Sequence, residues 1–193
     1  MQFFYKIKQK KGLTLTELLV STVLVGIVLI GVVSFNFAIS QIERSSSKAT
    51  ILALETAAVM SQIVKDASLA VGFSADPGII NPNSTEIGFR QDVNGTPENY
   101  ADDQWISYTR YDKYLGICPE APPVVSCFTP PVGPYISNKI FAVSFSLEQD
   151  KVAKTFYIDI SLATIYDPAK AYDPITNPSV KMDARVSPKG HGW

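Results

Sequence analysis

A single stretch near the start of the chain decides its fold: residues 10–39 read KKGLTLTELLVSTVLVGIVLIGVVSFNFAI. Within it, residues 18–39 carry neither a charge nor a proline and are rich in Leu, Val and Ile. About twenty such residues are enough for a helix to cross the hydrocarbon core of a bilayer. We therefore predict a membrane-spanning helix, with the lipid bilayer as a partner of the chain.

The charges before this segment predict its orientation. Four lysines are the only charged residues among the first twelve. Cytoplasmic flanks of membrane spans carry an excess of Lys and Arg, so the N-terminus is predicted to be cytoplasmic and everything after Ser40 extracytoplasmic. Without these lysines the chain has thirteen basic and eighteen acidic residues, a net charge of −5. This balance argues against a general phosphate-binding surface, so no nucleic-acid partner is predicted.

One acid, Glu17, stands at the start of the apolar run, five residues after Gly12. A carboxylate in lipid is costly and by default marks a functional site, but no cation is available inside the run. Cutting the chain after Gly12 would create a positively charged amine at Leu13, one helical turn from Glu17. The alternative is an uncleaved anchor whose acid reaches the interface. Ordinary leader cleavage at Ala38-Ile39-Ser40 is a further alternative, although the apolar run is long for a secretory leader.

The basic leader, the glycine, the apolar run and the acid, all in register, resemble the start of type IV pilins and type II secretion pseudopilins. The resemblance implies that a prepilin peptidase cuts between Gly12 and Leu13, that Leu13 is N-methylated, and that Glu17 acts in filament assembly. It also implies partners: other pilins or pseudopilins along the N-terminal helix, and an inner-membrane assembly platform. The protein would be a single-pass inner-membrane precursor that later enters a pilus or pseudopilus.

Two departures from the commonest family pattern lie in this helix. Leu13 stands where many members have Phe, and Ser34 stands where many major pilins have a helix-kinking proline. The absence of this proline slightly favours a pseudopilin or a minor subunit over a major pilin.

An amphipathic pattern follows the span, with Leu52, Val59, Ile63 and Ala70 at helical spacing. We predict one helix from Leu13 to Val71, ended by Gly72. Residues 60–73 are also similar to the corresponding segment of W-type minor pilins and J-type pseudopilins, although an ordinary amphipathic helix end explains them equally well. The predicted divisions are a cleaved leader (1–12), a transmembrane and assembly half (13–40), an amphipathic half (41–72), a β-rich head (73–187) and a flexible tail (188–193).

Period-two alternation predicts the strands of the head. In each of three segments, alternate apolar residues are predicted to share one face of a strand. These sets are Phe141, Val143, Phe145 and Leu147; Phe156, Ile158, Ile160 and Leu162; and Val180, Met182, Ala184 and Val186. The first two strands should form a hairpin through residues 148–151, and further strands are expected at 85–90 and 104–117, the latter a hairpin turning near Asp112-Lys113. The predicted fold is α+β: a long helix packed on one antiparallel sheet, as in type IV pilins.

Cys118 and Cys127 flank a proline-rich loop. Their spacing does not fit a four-ligand zinc site, and an exported head favours a disulfide between them over two free thiols. Residues 92–103 have oxygen ligands at EF-hand-like spacing, but Pro97 replaces the required glycine and Asp103 the bidentate Glu. We predict no cofactor and a solvated acidic turn here, with calcium as the alternative.

The sequence is compatible with three classes of function. The leading hypothesis is a minor pilin or pseudopilin, a structural subunit that initiates or joins a filament. The second is a membrane-anchored binding module, an adhesin or a DNA-uptake receptor, whose loops recognise a ligand. An exported enzyme is not predicted, because the chain has no nucleophile–base pair, P-loop or metal cluster.

Overall fold

A computed structural model describes residues 14–72, 76, 78–96, 99–119, 134–150, 155–188 and 190–191. One long helix is followed by strands, in the order α1 Leu15–Ser68, β1 Val71–Gly72, β2 Ile79–Asn83, β3 Glu86–Gln91, β4 Gln104–Tyr111, β5 Tyr114–Pro119, β6 Tyr135–Ser137, β7 Ile140–Gln149, β8 Phe156–Ile165, β9 Ser179–Val186 and β10 Gly190–His191. The chain divides into two compact units between Glu43 and Arg44. The α+β architecture is as predicted.

In the described residues the head contains two antiparallel sheets rather than the single one expected. Strands β2-β3-β4-β5-β6 form one sheet and β7-β8-β9 the other. The prediction of one sheet was wrong because alternation identifies the buried face of each strand but not its lateral neighbours. The predicted hairpins are confirmed: β7 pairs with β8, and β4 pairs with β5 around a turn where Asp112 has a φ of 53°.

One hydrophobic core joins the outer part of α1 to both sheets. From the helix it takes Val59, Met60, Ile63 and Ala67; from the five-stranded sheet Ile79, Ile87, Phe89, Tyr108 and Leu115; and from the three-stranded sheet Ile140, Val143, Phe145, Ile158, Ile160, Leu162 and Val186. The amphipathic stripe predicted from Leu52 to Ala70 is buried as expected. Packing on two sheets stabilises this half of the helix, because isolated helices have little stability of their own.

The predicted face of β7 needs a correction at its first residues. The pairing of β7 with β8 shifts register between Ile140 and Ala142, so Ile140 is buried and Phe141 is 58% exposed. A bulge adds one residue to one strand and exchanges the two faces beyond it. From Val143 onward the predicted alternation holds at Val143 and Phe145.

Both ends of the head also differ from prediction. The helix ends at Ser68, where Leu69 N–H bonds to Lys65 O and Asp66 O, and not at Val71. Ala70 then bridges to Gln91, while β1 pairs in parallel with β10. Sheet pairing therefore replaces the last helical turn expected before Gly72. It also places Gly190–His191, expected in a flexible tail, in a strand.

Candidate functional site: the start of the helix

The N-terminal end of α1 is closed by a reciprocal capping interaction between Thr14 and Glu17. The Thr14 backbone N–H and its hydroxyl donate to Glu17 Oε2 at 2.9 and 2.8 Å, and the Glu17 backbone N–H donates to Thr14 Oγ1 at 3.3 Å. This is a capping box, which satisfies backbone N–H groups that a helix start leaves without partners. The sequence signal, Thr followed three residues later by Glu, was present and was missed.

The capping box fixes where the Glu17 carboxylate lies. Its Oε2 atom is held at the N–H of Thr14, the residue that directly follows Leu13. Gly12 and Leu13, the predicted cleavage and methylation positions, lie outside the described residues, so these assignments stay predictions. The structure nevertheless brings Glu17 back along the chain toward the predicted cut.

The apolar part of α1 presents its side chains to the surroundings. All large apolar residues from Leu18 to Phe37 are more than half exposed, and within the described residues this is the one helix long and apolar enough to cross a membrane. Two of its hydroxyls are bonded within the helix: Ser21 donates to Glu17 O and Thr22 donates to Leu19 O. Polar groups satisfied inside their own helix are compatible with lipid.

Cys118 lies on β5, paired with Ser107 of β4, and is buried. Cys127 lies outside the described residues. The Cys118–Cys127 pairing therefore stays a prediction.

The acidic segment 92–103 uses its carboxylates in local contacts. Asp92 Oδ1 accepts from the N–H groups of Gly95 and Thr96 at 2.6 and 3.0 Å, and Asp102 accepts from the Thr96 hydroxyl at 3.0 Å. Pro97 and Glu98 lie outside the described residues. Among the residues that the structure describes there is no group of three His, Cys, Asp or Glu placed to hold a metal ion. Calcium binding stays an untested alternative.

Asp103 at the end of this segment lies against Arg90, and both side chains are almost fully buried. Arg90 bonds to Asp76 at 2.7 Å and lies 3.5 Å from Asp103, with its guanidinium 4.3 Å from the Tyr100 ring centre. Burial raises the pKa of the Asp103 carboxyl above its ordinary value, and the Arg90 charge opposes that effect. This buried charge cluster fastens the segment to β3.

Two further polar contacts that the sequence did not predict fasten α1 to the sheets. The Thr56 and Thr164 hydroxyls are hydrogen-bonded at 2.5 Å, and the buried Tyr108 hydroxyl donates to the Asp66 carboxylate. Burial, followed by the bond to Asp66, raises the pKa of Tyr108 above its ordinary value. A charge on an amphipathic helix is normally read as a solvated position, which is why Asp66 was not expected in the core.

Residues 7–33 match the family model of the prokaryotic N-terminal methylation motif. The matched segment includes Gly12, Leu13 and Glu17 and is similar to the N-terminus of type IV pilin-like prepilins. No curated protein matches the chain, and no solved structure matches it. The pilin-type motif implies processing by prepilin peptidase, assembly with other pilins and attachment to a membrane. It indicates a structural protein.

Proposed function

We propose that this pilin-like chain is a minor pilin or pseudopilin that initiates or joins a type IV pilus or a type II secretion pseudopilus. The observation that carries the proposal is the Glu17 carboxylate, held by Thr14 at the very start of a helix that matches the methylation motif. Minor status is supported by the likeness of residues 60–73 to W-type minor pilins and J-type pseudopilins, and by Ser34 in place of a kinking proline.

The proposed mechanism starts with cleavage between Gly12 and Leu13. The new amine of Leu13, later methylated, is positively charged and stands about 6 Å along the axis from Glu17, at 1.5 Å per residue. A carboxylate at the lipid-facing start of a helix is stabilised by such a charge. Glu17 can pair with its own amine or with that of a neighbouring subunit, and the second pairing sets the axial register between neighbouring helices during uptake.

The proposed topology follows from the charges around the span. The lysine-rich leader stays in the cytoplasm, where prepilin peptidase and the inner-membrane assembly platform would act, and the head lies on the other side of the membrane. In this arrangement the exposed apolar side chains of residues 18–37 contact lipid before assembly and neighbouring pilin helices afterwards.

The test is intact mass and N-terminal sequencing of the protein from membranes of cells with and without prepilin peptidase. We expect a chain that starts at Leu13 and carries one added methyl group, and an uncut chain when the peptidase is absent. A start at Gln41 would indicate an ordinary secreted protein. If Met1 is retained in cells with active peptidase, the chain is only a membrane-anchored domain, and the proposal is contradicted.

A further inference from the structure

A cleft of about 350 Å³ lies between the outer part of α1 and residues 135–139. Glu55, Ala58, Val59 and Gln62 form its helix wall, and residues 135–139 form the opposite wall. Its volume is within the range of small-ligand sites. Both walls belong to the compact unit that begins at Arg44, so the cleft lies within that unit alone.

The polar groups of the cleft carry no net charge. Gln62 and Asn138 contribute amides and Ser137 contributes a hydroxyl, all of which can both donate and accept hydrogen bonds. The two charged residues of the lining neutralise each other, since Lys139 Nζ lies 2.6 Å from Glu55 Oε2. A ligand rich in hydroxyl groups fits this lining, whereas an ion or a polyanion would find no opposing charge.

Aromatic rings adjoin the cleft on the five-stranded sheet. Tyr135 lines the cleft, is 44% exposed, and meets Tyr114 edge-on with ring centres 5.3 Å apart. Tyr114 is the cross-strand partner of the exposed Tyr111, so these two side chains lie on the same face of the sheet. We call Tyr135, Tyr114 and Tyr111 the tyrosine row. Exposed aromatic clusters of this kind mark binding sites, because their rings contribute apolar area and their hydroxyls contribute hydrogen bonds.

We propose that this cleft and its tyrosine row bind an uncharged oligosaccharide. Pyranose units joined by β-1,4 linkages form flat ribbons with apolar C–H faces and hydroxyl edges. The faces would lie on Tyr135 and its neighbours, and the edges would bond to the amides of Gln62 and Asn138. The inference does not rest on the proposed assembly function, because none of these residues belongs to the N-terminal motif.

The experiment titrates the full-length protein, in a detergent without sugar groups, with chitohexaose, cellohexaose and β-1,4-mannohexaose by saturation-transfer NMR. We expect saturable binding of at least one of the three, with the same affinity at low and high salt because no ion pair with the ligand is involved. If none of the three saturates, the proposal is overturned. Binding of a DNA oligonucleotide in their place, weakened by salt, or of a proline-rich peptide in their place would also overturn it.

Two matched pairs of variants locate the site. Ala58→Leu narrows the cleft, whereas Ala57→Leu adds the same side chain at an exposed helix position outside its lining. Tyr135→Ala removes the ring at the cleft, whereas Tyr172→Ala removes an exposed ring from a loop elsewhere. We expect affinity to fall at least about tenfold in the first member of each pair and to stay unchanged in the second. Equal losses within either pair would place binding elsewhere and overturn the assignment. Thermal unfolding of all four variants identifies any change caused by loss of folding.

Discussion

Among single residues, Glu17 gives the most direct test of the proposed assembly function. Glu17→Ala removes both the capping carboxylate and the predicted partner of the Leu13 amine, so we expect cleavage to persist and entry into filaments to fall severalfold. The measurement is the ratio of this subunit in sheared filaments to that in membranes. Glu43→Ala, a change of an exposed acid on the same helix beyond the span, is the control. Wild-type incorporation of the Glu17 variant would show that the carboxylate has no assembly role.

Tyr108 is a second residue with a defined effect. Tyr108→Phe leaves the buried Asp66 carboxylate without its hydroxyl donor, which costs about 2–3 kcal/mol of unfolding free energy. Urea unfolding of the full-length chain in micelles measures this cost. Tyr111→Phe, at an exposed tyrosine, should stay within about 0.5 kcal/mol of wild type.

The hydrogen bond between Tyr108 and Asp66 also predicts that stability depends on pH. Because the pKa of Tyr108 is raised in the folded protein, the folded state retains the phenolic proton when the unfolded state has lost it. The resulting stabilisation of the folded state is complete below the ordinary tyrosine pKa of about 10 and is lost as pH rises above it. The stability gap between wild type and Tyr108→Phe should therefore narrow above that pH. A gap that stays constant would mean that Tyr108 titrates normally.

At the scale of elements, periodicity predicted the long helix and strands β3, β4, β5, β7, β8 and β9, but not every face or neighbour. The faces of β8 and the inner stripe of α1 followed from periodicity alone, because each is buried on one side throughout. Phe141 was predicted on the wrong face because the bulge in β7 depends on its pairing with β8. Strands β2 and β6 were missed because they are short and contain or follow prolines, which weakens the alternation signal.

The loop between β8 and β9 depends on one side chain that no pattern predicted. Asn177 is buried; its Oδ1 accepts from Asp167 N–H at 2.7 Å, and its Nδ2 donates to the carbonyls of Asp167, Lys170 and Ala171. Asn177→Ala should destabilise the loop by about 2–3 kcal/mol through these lost bonds. Tryptic cleavage after the exposed Lys170 should accelerate, while Asn94→Ala, at an exposed amide, leaves it unchanged. Unchanged cleavage in both variants would mean that the backbone alone holds the loop.

For the molecule as a whole, the predicted disulfide and the predicted membrane topology depend on each other. Disulfides persist in oxidising compartments, so an exported head and a Cys118–Cys127 bond predict each other. In protein taken from intact cells and alkylated before reduction, neither cysteine should react with maleimide. A variant without residues 13–40 should remain in the cytoplasm, where both thiols should react.

The control for this measurement is Cys118→Ser, in which Cys127 loses its predicted partner and should become reactive, showing that the reagent reaches the loop. If both thiols of the full-length protein react, either the head lies in the cytoplasm or the bond does not form. Protease added to spheroplasts separates these outcomes: digestion of the head would retain the predicted topology and reject only the disulfide. Closing the loop between the cysteines is expected to stabilise the head by roughly 2.5–3 kcal/mol, so loss of the bond should also lower its unfolding temperature.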